Sequence, residues 1–226
     1  MQAGPSADRR REVPIGRRNN ALRVVALAFG VGAALLGFEH GYFETLQGDV
    51  PTNGVLISAI GPPCQQATAW HACEPAFTLL PSFLVSGLLA MAIAVVVMVW
   101  AAAVAPRRHG GAALLVFVIA LFLVGGGFVT LLIGVVGVVA ATQIDAPLTW
   151  WQAHLRGGLA GALVRLWPWL LIAYVAWAVA SWLIGAAFGE LMLRLTPAVS
   201  AVTPLVLILI LVSAIAHDAQ RRRPAG

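Results

Sequence analysis

Four stretches of the chain, residues 75–106, 110–144, 166–189 and 195–216, contain no Asp, Glu, Lys or Arg. Each exceeds the roughly 20 residues that an α-helix needs to cross about 30 Å of hydrocarbon at 1.5 Å per residue. A fifth apolar run, residues 24–38, is shorter and lies between Arg23 and Glu39. The chain is 60% hydrophobic and 10% charged, against roughly 45–50% and 25% in an average soluble domain. One soluble core of this size could not bury so much apolar surface, and lipid is the alternative solvent. The expected fold is all-α: a polytopic membrane helical bundle of four long transmembrane helices plus a glycine-broken hydrophobic hairpin. Five straight spans are the alternative.

All 14 basic residues are arginine. With the abundant Ala, Val and Gly, this suggests a GC-rich bacterial genome. A net charge of +5 raises the question of nucleic acid, but the arginines flank apolar runs and termini, where they control topology. The expected partners are the lipid bilayer and either a membrane protein or a second copy of the chain, with no nucleic acid.

Residues 1–20 carry Arg9, Arg10, Arg11, Arg17 and Arg18 among Gly, Pro and Asn, and read as a disordered cytoplasmic tail. The apolar run after them lacks an Ala-x-Ala cleavage pattern, so it reads as an uncleaved first helix. Residues 39–74 hold Glu39, Glu44, Asp49 and Glu74 and no arginine. A loop of that kind belongs outside, which puts the N-terminus in the cytoplasm of a bacterial cytoplasmic membrane.

Residues 110–144 pose the topological question, because Gly125, Gly126 and Gly127 interrupt them. As one straight span they would leave Arg156, Arg165, Arg221, Arg222 and Arg223 outside. As a hairpin folding at the glycines they leave Arg194 alone outside. Charge bias favours the hairpin. Each arm has about 15 to 17 residues, roughly 22–26 Å, which is short for a full span. A re-entrant hairpin removes that difficulty if neighbours cover its non-helical tip.

The layout that follows is a cytoplasmic tail 1–20 and one membrane domain 21–217 with an outer loop 39–77, then a closing cytoplasmic tail 218–226. Within the domain, residues 147–165 form an interfacial segment carrying Trp150, Trp151, His154, Arg156 and Arg165. Trp167 and Trp169 open the next long helix at the same level, where an indole has both an apolar body and a polar N–H to place. Residues 190–197 return the chain outside, and a last helix covers 198–216.

Candidate chemistry concentrates outside. His40 and Glu44 stand at i, i+4 spacing if the first helix continues, and His71 and Glu74 at i, i+3. Two imidazoles and two carboxylates suit zinc or a similar divalent metal. The plainer reading is that these residues end helices in water, and Gly41 weakens helix continuation. Glu39 follows the apolar run and is a candidate membrane-boundary ionisable group, a proton or cation site if held in the membrane. The alternative is solvation among headgroups.

Cys64 and Cys73 share the outer loop, where an oxidising compartment would join them in a disulfide. Metal binding by both thiolates with His71 matches no zinc spacing. Pairs of small residues (Gly30 and Ala34, Gly134 and Gly137, Gly158 and Gly161, Gly185 and Gly189) suit close helix packing. Phosphate-loop, Gly-x-Ser-x-Gly and His-Glu-x-x-His motifs are absent from the sequence. The hydroxyls at depth, Ser86, Thr130 and Ser181, are expected to bond their own helix backbone.

Four strings carry a resemblance: Gly37-Phe38-Glu39-His40-Gly41, Val124-Gly125-Gly126-Gly127-Phe128, Pro147-Leu148-Thr149-Trp150-Trp151 and Leu166-Trp167-Pro168-Trp169. On them the chain resembles a family of bacterial multi-pass membrane proteins without an assigned function. The resemblance implies an architecture and supplies no activity. The functional expectation is a non-enzymatic accessory or assembly factor whose outer loop contacts a partner. A small channel or transporter subunit is one alternative, and a metal-dependent membrane enzyme acting at the outer surface is the other.

Overall fold

A computed structural model describes residues 20–58, 74–103, 109–155 and 157–223. Most of the arginine-rich tail lies outside them, as do His71, Cys64 and Cys73. The chain forms α1 (Ala21–Thr45), β1 (Leu56–Ser58), β2 (Pro75–Phe77), α2 (Phe83–Ala103), α3 (Gly110–Leu123), α4 (Phe128–Gln143), α5 (Thr149–His154), α6 (Gly157–Ala187) and α7 (Gly189–Arg221). Four helices, α1, α2, α6 and α7, are long and apolar enough to cross a membrane. The protein is an all-α polytopic bundle with a glycine-broken hairpin.

Side-chain register shows that α3 and α4 run antiparallel. A Cβ on Gly111 would meet Thr142, and a Cβ on Gly134 would meet Val118, so the pairing centres on the glycine triplet. At the end of α3 the Gly126 N–H bonds the Leu121 carbonyl at 2.9 Å and the Gly125 N–H the Phe122 carbonyl at 3.4 Å, with Gly125 at φ +103°. This is a Schellman stop, in which a left-handed residue returns two orphan carbonyls to the helix end. The arms, with 14 and 16 residues, extend only about 21 and 24 Å.

The tip is covered by strand, a feature the sequence reading did not anticipate. β1 and β2 pair antiparallel in the register Leu56↔Phe77, Ile57↔Ala76 and Ser58↔Pro75. The chain after β2 then bridges the tip: Gly125 N–H bonds the Phe77 carbonyl at 3.0 Å and Leu79 N–H the Leu123 carbonyl at 2.9 Å. The non-helical backbone at the end of the hairpin is thus bonded, as a low-dielectric setting requires. Phe77 stacks on Phe122, with ring centroids 5.5 Å apart.

The start of α1 and the end of α7 lie on one face of the bundle, which we term the terminal face. Ala21 and Leu22 at the start of α1 bond Asp218 near the end of α7. Arg222 donates to the carbonyls of Ile144 and Ala146, just after α4, and the Trp100 indole donates to the Gly110 carbonyl at 3.0 Å. Asn20, Arg222 and Asp218 are polar groups placed where helix ends leave unpaired N–H and C=O groups. The opposite face, the cap, holds the end of α1, β1, β2, the hairpin tip and the α6–α7 turn.

Three boundaries differ from expectation. α1 continues past residue 39 to Thr45. α6 begins at Gly157 rather than at 166 and takes in the second half of segment 147–165, expected as a short interfacial helix; α5 is a separate short helix within it. α7 begins at Gly189 and keeps Pro197 and Pro204 inside it, so residues 190–197 are helical and the connection is the single residue Phe188. At 31 and 33 residues, α6 and α7 outrun their apolar stretches and carry Arg165, Arg194 and Asp218 beyond them. α7 also runs to Arg221, into the expected closing tail.

Candidate functional site

The cap end of α1 depends on a close helix crossing. A Cβ on Gly41 would sit 2.7 Å from the Gly87 carbonyl oxygen, and a Cβ on Gly87 would collide with that of Gly41. Without side chains at these points the backbones of α1 and α2 touch. That contact supports α1 through Gly41 despite the low helix propensity of glycine. One consequence is that His40 and Glu44 share a face, one turn apart.

Both side chains turn inward. His40 is 5% exposed and Glu44 is fully buried, which replaces the expected solvated rim with a buried pair. The hairpin tip closes over them. A Cβ on Gly127 would lie 2.6 Å from His40 Nε2, and one on Gly125 would collide with the Glu44 carboxylate. Gly127 has φ 84° and ψ 152°, a region reached almost only by glycine. The glycine triplet therefore both turns the hairpin and seats its backbone directly on the acid and the imidazole.

Glu74, just before β2, brings its Oε2 to 3.7 Å from His40 Nε2. His40 Nδ1 and both Glu44 oxygens make no hydrogen bond among the described residues. Thr130, early in α4, likewise has a buried hydroxyl without a partner. Glu39 sits inside α1 and is half-buried.

Of the metal set read from sequence, the structure brings His40 and Glu74 together and places Glu44 against the same glycine turn. Among the described residues no three His, Cys, Asp or Glu side chains form a group able to hold a metal ion. His71, and with it the four-residue set, lies outside the described residues, as does the Cys64–Cys73 pair.

Sequence reasoning missed the hydroxyl network beside Glu44. Ser86 Oγ donates to the Val124 carbonyl at 2.8 Å and lies 2.8 Å from Thr78 Oγ1; it also lies alongside the Glu44 carboxylate. Ser181 behaves as expected, donating to its own helix at Ala178, but Ser86 bonds across elements. The signal available in the sequence was Ser86 next to Gly87 in an otherwise apolar run, where a polar group needs a partner on a neighbouring element.

A crevice of about 330 Å³ opens beside the site, between α1 and α4 on one side and α6 and α7 on the other. Glu74, Leu132, Trp177, Ser181, Thr196 and Ser200 are among its lining residues. Comparison with protein-family models, curated proteins and solved structures finds no match to this chain.

Proposed function

We propose that the chain is a non-enzymatic accessory or assembly factor of a bacterial cytoplasmic membrane, holding a partner membrane protein. The observation that supports this reading is the loose seat of α6. Only 11% of its most apolar window is buried, against 50% for α1. α6 packs along α7 and meets α1 through Tyr174, edge-on to Phe29 at 5.3 Å between centroids. Beyond that contact the crevice presents a carboxylate and several hydroxyls on a face that is otherwise apolar. Ser181 and Thr196 donate to carbonyls of their own helices and keep acceptor lone pairs that a second protein's helix can match and lipid tails cannot.

A photo-crosslinking residue placed at Trp177 or Ser200 in native membranes tests the reading. One discrete protein adduct, lost when the crosslinker is moved to Leu88 on α2, supports it. Lipid adducts alone overturn it, and an adduct of twice the chain mass makes the partner a second copy.

A small channel or transporter subunit is the second reading, favoured by the burial of His40 and Glu44 at a non-helical break. Ion flux in liposomes containing the purified chain separates it from the first.

The proposed orientation puts the terminal face in the cytoplasm. Its support is the arginine distribution, in which Arg194 alone belongs to the cap side of the hairpin topology. With that orientation, the absence of arginine between Glu39 and Glu74 supports an outer loop and a Cys64–Cys73 disulfide.

A further inference from the structure

Glu44 is fully buried, and neither of its carboxylate oxygens accepts a hydrogen bond among the described residues. A carboxylate held away from water in this way requires a compensating positive charge or a proton. The surrounding hydrogen bonds show which side of the site lacks one. Ser86 Oγ lies 2.8 Å from Val124 O, 2.8 Å from Thr78 Oγ1 and beside the Glu44 carboxylate, with one hydrogen to give. Thr78 supplies the second hydroxyl hydrogen of this group, and Thr78 Oγ1 accepts the Leu80 N–H at 3.2 Å. The network holds two hydroxyl hydrogens shared among Thr78, Ser86, the Val124 carbonyl and the adjacent Glu44 carboxylate, so the carboxylate faces more oxygen lone pairs than donors.

The available groups are one carboxylate, two hydroxyl oxygens and a main-chain carbonyl at a break between helices. All are hard oxygen ligands, suited to a hard cation rather than to a thiophilic or imidazole-seeking metal. Carbonyls freed where a membrane helix is interrupted, combined with a nearby acid, are the kind of donor set that takes sodium or a proton. The second carboxylate, Glu74, lies against His40, which leaves Glu44 with a single negative charge to match. We propose that Glu44, with the oxygens of Ser86, Thr78 and Val124, binds a monovalent cation, sodium, in exchange for a proton.

Among the described residues the titratable groups around this site are few, and half-buried Glu39 on α1 is one of them. His40 stands one turn earlier on α1, Glu74 lies beyond it, and Asp49 accepts a hydrogen bond from Ser82. α2, α3 and α4, which pack against this end of α1, contain no Asp, Glu, His, Lys or Arg. The proton that competes with sodium is therefore assigned to Glu44.

The test uses the full chain in lipid nanodiscs, with thermal unfolding followed in sodium chloride and in choline chloride at equal ionic strength. Ligand that binds the folded state alone raises Tm with its concentration. The expected result is a Tm that climbs with each tenfold increase in sodium, more steeply at alkaline than at acidic pH. Glu44→Gln brings its own amide protons to Ser86, so it should stay folded and lose the sodium dependence. Isothermal titration of sodium into the wild type should give one site per chain, absent in the variant. A Tm indifferent to sodium across the pH range overturns the proposal and leaves Glu44 a buried protonated acid. Sodium dependence that persists in a folded Glu44→Gln protein overturns it too.

Discussion

The carboxylate of Asp218 accepts the backbone N–H of Ala21 at 3.0 Å, and its second oxygen accepts that of Leu22 at 3.1 Å. A side chain near the end of α7 thereby caps the first turn of α1, 197 residues away. Two of the orphan donors at the helix start are met by an anion, which also opposes the positive end of the helix dipole. Asp218 is 2% exposed, so this closure is part of the packed bundle. His217 Nδ1 lies 3.2 Å from the same carboxylate.

Asp218→Ala should therefore destabilise the bundle. The Ala21 N–H is left without its side-chain partner, at a cost of about 1–3 kcal/mol, whereas the Leu22 N–H keeps Asn20 Oδ1 at 3.2 Å. A fall in Tm is expected in detergent or nanodiscs, with Asp218→Asn losing less because its amide oxygen still accepts one N–H. An unchanged Tm for Asp218→Ala would remove the capping role.

Closure of the start of α1 onto the end of α7 also sets the expected parity of the topology. Reporters fused before residue 1 and after residue 226 should report the same compartment, and one inserted after Phe188 the opposite one. A protein that fluoresces only in the cytoplasm should be bright at both ends. Opposite signals from the two ends would require an odd number of crossings, which the hairpin forbids.

The bundle was legible because absence of charge is a strong signal: a residue run without Asp, Glu, Lys or Arg has few alternatives to lipid or a deep core. The hairpin followed from where Arg156, Arg165 and Arg221 to Arg223 would otherwise fall. What failed was local. Gly41 read as a weak point of α1, yet it is the point of contact with Gly87, a tertiary fact that propensity cannot carry. Pro197 read as a helix boundary, but α7 accommodates it in its interior. β1 and β2 have three residues each, too few for an alternating pattern to declare itself. Asp218 read as tail because its partners, two N–H groups of α1, are invisible to sequence spacing. The His40–Glu44 spacing was legible, whereas its burial rests on Gly125 and Gly127 arriving from the hairpin.

The Cys64–Cys73 pair yields a chemical prediction. If the cap lies outside, protein isolated without reductant should show the two cysteine-bearing peptides linked by mass spectrometry. Two thiols that alkylate freely in fresh membranes would reject the bridge.

Gly127→Ala should be costly for two reasons that act together. The backbone at φ 84° and ψ 152° costs a residue with a side chain about 1–3 kcal/mol, and its Cβ would press on the His40 ring at 2.6 Å. Gly48 has a positive φ of 77° with nothing within 4 Å of a Cβ, so Gly48→Ala is a positive-φ substitution without a steric contact. The Tm loss for Gly127→Ala should clearly exceed that of Gly48→Ala. A Gly127→Ala protein as stable as the wild type would mean that the hairpin tip does not bear on His40.

Ser86 and Ser181 look alike in the sequence, a serine within an apolar helix, and the structure separates them. Ser181 Oγ donates to Ala178 O at 2.9 Å on its own helix, a carbonyl that the helix itself can serve. Ser181→Ala should change stability by no more than about 0.5 kcal/mol, as at a site with no cross-element partner. Ser86 donates to Val124 O at the hairpin tip, where no helical N–H stands ready to replace it, and also receives Thr78. Ser86→Ala leaves that carbonyl and the Thr78 hydroxyl short of a partner, at a cost of about 1–3 kcal/mol. Thr78→Val adds to Ser86→Ala by less than its own single-mutant cost, because one network is removed by either change. Thermal unfolding of the four variants in choline chloride, where no sodium is bound, reads these differences directly. Strict additivity of Ser86→Ala and Thr78→Val, or a Ser86→Ala variant as stable as Ser181→Ala, would show that the hydroxyls do not join the cap to the hairpin.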